Sequence, residues 1–247
     1  MFKFKSGTLK SAALSIALTA AAAVSASAAS VTVVADVNTA GKAVNDALYL
    51  NVLDSATSVL FSRNEEQQSD TRALFNAQAG VSAVEDASTL TDALLAGVDL
   101  LVITRFYNNA IDYTAAEIAS VANFVSDGGD VLVILEATAG SSLYSAYNSL
   151  LTGIGSAIQY TTGRTVMPFT DASLEDTDIS DSSMSFAVDA YAHLSGGDAV
   201  AMDDTGAVFV AYEDIEDGPV VPLPGALPLM AAGGLALVGL KRRRTKR

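Results

Sequence analysis

The chain contains no cysteine, and its 247 residues include a single histidine. Disulfides, zinc–thiolate centres and thiol nucleophiles are therefore excluded, as is any metal site built from several imidazoles. Basic residues are also scarce. Of 14 Lys and Arg, three lie in the first ten residues (Lys3, Lys5, Lys10) and six in the last seven. Between them stand only Lys42, Arg63, Arg72, Arg105 and Arg164, against all 28 Asp and Glu, a formal charge of −23. Such a surface repels phosphate and anionic headgroups, so nucleic acid is not an expected partner. There is no phosphate loop and no dinucleotide fingerprint; Gly128-Gly129 and Gly196-Gly197 read as turns.

The two ends have a different character from the acidic middle. Three lysines precede an apolar run from Ala12 to Val24, and Ala26-Ser27-Ala28 is a small-x-small site. That is the three-part pattern of a secretory signal peptide, with cleavage expected between Ala28 and Ala29. At the other end, Val220 to Leu240 carries no charge and is followed by Lys241 to Arg247, with Arg242, Arg243 and Arg244 at its centre. The run is long enough to cross a bilayer, and the basic cluster would stay on the cytoplasmic side. Pro222, Pro224 and Pro228 interrupt its front, which should be extended or kinked.

Val221-Pro222-Leu223-Pro224, then Gly225 and Ala226, then Leu227-Pro228-Leu229, a Gly-rich apolar helix and an Arg cluster follow one another in fixed order. This tail resembles the VPLPA variant of the PEP-CTERM class of bacterial sorting signals. The resemblance implies an exosortase-type membrane enzyme as partner and a transient membrane tether. It also implies release to the surface or matrix of a Gram-negative cell, where exopolysaccharide or another surface protein would be the contact. A permanent single-pass anchor facing the periplasm is the alternative. The expected organisation is a signal peptide over 1–28, an exported domain over 29–218 and the sorting signal over 219–247.

Within the domain, Val98 to Thr104 (VDLLVIT) and Val131 to Leu135 (VLVIL) are near-continuous apolar runs, as in strands buried on both faces. Between them Thr114 and Glu117 form a capping-box pair ahead of an amphipathic helix that ends at Gly128-Gly129. Strand, helix and strand make a βαβ unit. Further strands are expected over 31–35, 58–62, 159–162, 166–169, 185–188, 199–202 and 207–212, the last two as a hairpin turning at Asp203-Asp204-Thr205-Gly206. The fold class expected is α/β, doubly wound around a mostly parallel sheet. The stretch from Asp99 to Ile134 resembles class I glutamine amidotransferase-like, flavodoxin-like domains. Those carry a nucleophile at the turn after the second strand, here Leu135-Glu136-Ala137, where neither Cys nor Ser stands. No catalytic residue carries over, and enzyme activity is not expected.

The remaining candidates are modest. His193, between Asp189 and Ser195, reads as a structural histidine at a helix end before Gly196-Gly197. Asp171 to Asp181 reads as an acidic loop, in which Asp171, Glu175, Asp176, Asp178 and Asp181 offer carboxylates to calcium without the spacing of a calcium loop, so no metal site is assigned and no cofactor is expected. The carboxyl ends of the strands are where an open α/β sheet binds ligands. Asp36, Asn38, Arg105, Tyr107, Asn108 and Glu136 would share that edge, and Asn, Tyr and Arg suit a sugar or peptide. Carboxylates such as Asp36 and Glu136 would alternatively serve a hydrolase acting on envelope glycan or peptide.

Overall fold

A computed structural model describes residues 28–62, 68–105, 113–135 and 141–215. The stretch expected as a signal peptide, through Ala26 and Ser27, lies outside them, as does the whole stretch expected as a sorting signal, with Val221, Pro222, Leu223, Pro224, Pro228, Arg242, Arg243 and Arg244. No helix among the described residues is long and apolar enough to cross a membrane.

In chain order the elements are β1 (Ala29–Val34), two short 3₁₀ turns (Val37–Thr39 and Ala43–Asn45), α1 (Asp46–Leu53), β2 (Ser58–Ser62) and α2 (Ser69–Asn76). Then come β3 (Ser82–Asp86), α3 (Asp92–Leu95), β4 (Leu100–Arg105), α4 (Ala115–Ser126), β5 (Asp130–Leu135) and α5 (Ser141–Gly153). The chain closes with β6 (Gln159–Ser173), β7 (Ser185–Ser195), β8 (Asp198–Met202) and β9 (Val208–Ile215). One nine-stranded sheet results, in the order β3-β2-β4-β5-β1-β9-β7-β6, with β8 paired to β9.

The mostly parallel, doubly wound, flavodoxin-like sheet is overturned. The pairings among β3, β2, β4, β5 and β1 are parallel, whereas those of β9 with β1, β7 and β8, and of β6 with β7, are antiparallel. The reason lies in the connections. Parallel neighbours need a crossover, and helices supply it as far as β5. After α5 the strands follow one another without helices, so they pair by reversing direction.

The βαβ unit forms where local signals are strongest. Leu100 to Ile103 and Val131 to Leu135 are all buried at the sheet's centre. Thr114 Oγ1 accepts from the Glu117 amide at 3.2 Å, and Glu117 Oε2 accepts from the Thr114 amide at 3.0 Å, closing the capping box. Three expectations need correction in the second half. Segments 159–162 and 166–169 are parts of one strand, β6, with register shifts between Tyr160 and Arg164 and between Val166 and Thr170. Asp171 to Ser173 close that strand rather than opening a loop. His193 lies in β7, not at a helix end, with its Nε2 2.8 Å from Thr165 Oγ1; Gly163, lacking a Cβ, leaves room for its ring.

The β8–β9 hairpin turns where expected. Asp203 Oδ1 accepts from the amides of Thr205 and Ala207 at 2.8 and 3.0 Å, and its Oδ2 accepts from Tyr191 Oη at 2.6 Å. Partial burial raises the Asp203 pKa, but the hydrogen bonds from Thr205, Tyr191 and Ala207 outweigh it and bring it to about 2. A carboxyl that titrates lower when folded than at its ordinary ~3.9 stabilises the fold above that value. This contribution is lost as pH falls from about 4 through about 2. Asp203→Asn should therefore flatten the stability–pH curve in that window while leaving its shape above pH 5 unchanged, as read by urea melts at stepped pH. Gly196→Ala tests packing. Gly196 has φ 79°, and a Cβ there would strike the Ala157 carbonyl oxygen. Strain and clash together should cost about 2–3 kcal/mol in a urea melt.

Candidate functional site

The chain leaves β1 beside β7. Ala35 donates its amide to the Phe209 carbonyl of β9 at 2.8 Å and accepts from the Ala192 amide of β7 at 2.9 Å, so the residue after β1 bridges these two strands. The next residue is Asp36, which is fully buried. Its Oδ1 accepts from the Asn38 amide at 2.8 Å and starts the first 3₁₀ turn. Its Oδ2 accepts from the Asp189 amide of β7 at 3.1 Å. One carboxylate thus ties the loop after β1 to the strand opposite.

Other buried polar groups fix the same loop. Thr39 Oγ1 donates to the Asp36 carbonyl at 3.2 Å and lies 2.5 Å from Tyr49 Oη. Burial, reinforced by the negative charge of Asp36, keeps the Tyr49 hydroxyl protonated well above its ordinary range, against the hydrogen bond to Thr39. Asn45 exchanges two hydrogen bonds with the Ala187 peptide, at 2.6 and 3.1 Å, and donates to the Thr39 carbonyl at 2.9 Å. Gln68 Nε2 donates to the Val37 carbonyl at 2.9 Å. Each group is a buried donor or acceptor that would be costly unpaired, and together they make the loop rigid.

This framework holds an open groove of about 360 Å3, lined by Val37, Asn38, Ala40, Lys42, Phe169 and Asp189. Asn38 Nδ2 donates to Asp189 Oδ1 at 3.2 Å, joining its floor. Phe169 comes from the second irregularity of β6. Val166 pairs with Ala190 and Thr170 with Val188, so three residues, Met167 to Phe169, oppose Asp189 alone. Bulged residues are re-aimed out of the pleat, and Phe169 remains 45% exposed. The Lys42 ammonium sits 3.8 Å from its ring centroid, a cation–π contact.

A larger recess of about 830 Å3 lies at the opposite end of the parallel strands, lined among others by Asp92, Asp99, Asp127 and Asp130. Two of its acids hold backbone. Asp99 accepts from the Thr57 and Ser58 amides, both at 2.9 Å, and Asp130 accepts from the Ser30 amide and hydroxyl, both at 2.8 Å. Burial raises the Asp130 pKa, against these bonds from Ser30. Size alone does not make this recess the better site, because its polar groups close strand ends. Among the described residues no three acidic or histidine side chains converge as a metal site. Asp176 and Asp181 accept from the Ser182 and Ser183 amides in turns.

No family model and no curated protein matches the chain. Among solved structures it is similar to the mmIFT52 N-terminal domain, at 19% identity over 64% of this chain and 78% of that one. The TM-score is 0.44, and the likeness carries no argument about function.

Of the residues expected at the carboxyl edge, Asp36, Asn38 and Arg105 are at that edge, since β1, β5 and β4 are neighbours in register. Tyr107, Asn108 and Glu136 lie outside the described residues. Asp36 is an internal brace, while Asn38 reaches the groove. Sequence reasoning missed Lys42, Phe169 and Asp189. Two signals were present. Lys42 is the one lysine between residues 11 and 240, and Phe169 follows the one proline between residues 1 and 218.

Asp36→Ala should leave the amides of Asn38 and Asp189 without their acceptor. The expected loss is about 2–4 kcal/mol in a urea melt. Amide hydrogen exchange should quicken most at Asn38 and Asp189, whereas a uniform change across the sheet would count against the brace.

Proposed function

We propose that the chain is a non-catalytic exported protein, delivered to the cell surface or extracellular matrix by exosortase-type processing of its tail, and that its groove binds surface polysaccharide. The observation that carries this reading is the position of the groove relative to the chain ends. Ala29 and Ile215 are direct partners in the β1–β9 pairing, so the segments before and after the domain leave side by side. Six residues of β1 separate them from the loop that builds the groove. At about 3.3 Å per residue that is roughly 20 Å. A domain held by its tail would present the groove on the side away from the tether.

The chemistry of the groove supports binding over catalysis. Both carboxyl oxygens of Asp36 are committed to backbone amides, and Asp189 Oδ1 accepts from Asn38 Nδ2 and the Ala190 amide. Hydrogen bonds of this kind use the two acids to order the loop. An aromatic face beside amide and carboxylate acceptors is suited to the C–H and O–H surfaces of a sugar.

The address is tested in the host by intact mass and fractionation, with and without the sorting enzyme. The expected mature form begins at Ala29, lacks Arg247 and is found outside the cell, and deleting the enzyme should leave it longer and membrane-bound. Retention of Arg247 in the inner-membrane fraction of both strains would replace this reading with a permanent anchor.

A further inference from the structure

The groove contains a cation that no carboxylate among the described residues neutralises. Lys42 is the only lysine among the described residues of a strongly acidic chain. Its contact there is the ring of Phe169, at 3.8 Å, and no carboxylate among the described residues lies within ion-pair distance of its ammonium. Asp189 lines the same groove but directs Oδ1 to Asn38 and Ala190. An ammonium seated on a ring face retains unfilled N–H donors and has shed part of its water on one side. Acceptors are also unfilled. Asp189 Oδ2 and Asn38 Oδ1 make no hydrogen bond among the described residues.

We infer that the groove takes a carboxylated sugar, a hexuronate unit of an acidic polysaccharide. Lys42 pairs with the carboxylate, and Asp189 Oδ2 and Asn38 Oδ1 accept from ring hydroxyls. The exposed part of Phe169 covers a C–H face. A neutral sugar would leave the ammonium without an anion, and a simple carboxylate would leave the two acceptors empty. A space of about 360 Å3 is at the small end of ligand pockets, roughly 300–1,000 Å3, and suits a short stretch of sugar. The domain's net negative charge repels a polyanion at long range, so a local cation is needed to hold one. This inference rests on the glycan-binding reading above and narrows it to one charge class.

The test is calorimetric titration of the full chain, kept in detergent, with trigalacturonate, its methyl ester and neutral galactotriose. The ester keeps the ring and removes the charge. The acid should bind about tenfold more tightly than the ester, in keeping with a charge-assisted contact. Lys42→Met should abolish that preference, and Lys42→Arg should retain most of it. Equal binding of acid and ester, unchanged by Lys42→Met, overturns the charge assignment and leaves the glycan reading standing. If none of the three sugars binds while an Asp/Glu-rich peptide does, both readings fall and the groove is a protein contact. Absence of all binding at millimolar concentration also removes both. If Lys42→Met does not fold, the acid-to-ester ratio on the unaltered chain decides the question alone.

Discussion

A buried carboxylate joins the two halves of this sheet. Asp36 stands where the parallel strands give way to the antiparallel ones, and its two oxygens bind an amide on each side. Burying an ionised group costs several kcal/mol unless it is well hydrogen-bonded, so the surrounding geometry is tightly constrained. The loop from Val37 to Asn45 carries no long regular element, yet Thr39, Asn45 and Gln68 each hold part of it. Asn38 and Asp189 occupy fixed positions in the groove because the residues beneath them are braced.

The sequence was legible where structure is local. The runs at Leu100 to Thr104 and Val131 to Leu135 are buried on both faces, and no exposed alternation disguises them. The Thr114–Glu117 capping box spans one helical turn and needs no tertiary context to be read. The same locality explains the hairpin at Asp203 to Gly206, where a short acidic turn satisfies its own amides.

The second half was read poorly for a physical reason. β6 lies at the sheet edge with about half of its residues exposed, so Thr161 to Thr165 show little apolar alternation and the sequence reads as two strands. Its bulges shift the two-residue period twice, and period is what a reader of strands counts. β7 is buried along most of its length, so Tyr191 and His193 fit no polar–apolar rhythm. The direction of each strand was fixed by the absence of helices after α5, a feature visible in the sequence but given too little weight. Asn38 in the groove and Asp36 beneath it followed from the rule about strand ends, while Lys42 and Phe169 depend on a loop and a bulge that only the folded chain brings together.

Both sheet edges face the hazard that unpaired strand edges recruit other chains. At β3 the protection is charge, with Glu85 and Asp86 following exposed Val84 and Glu85 paired to Arg72 at 2.9 Å. At β6 the protection is shape. Two bulges break the ladder, and Pro168 has no amide to offer a pairing strand. Val166, 67% exposed, would otherwise sit on a long flat edge. The irregularity that contains Pro168 is also the one that turns Phe169 toward Lys42. Edge protection and groove therefore share one structural element, and straightening β6 to restore regular pairing would remove both.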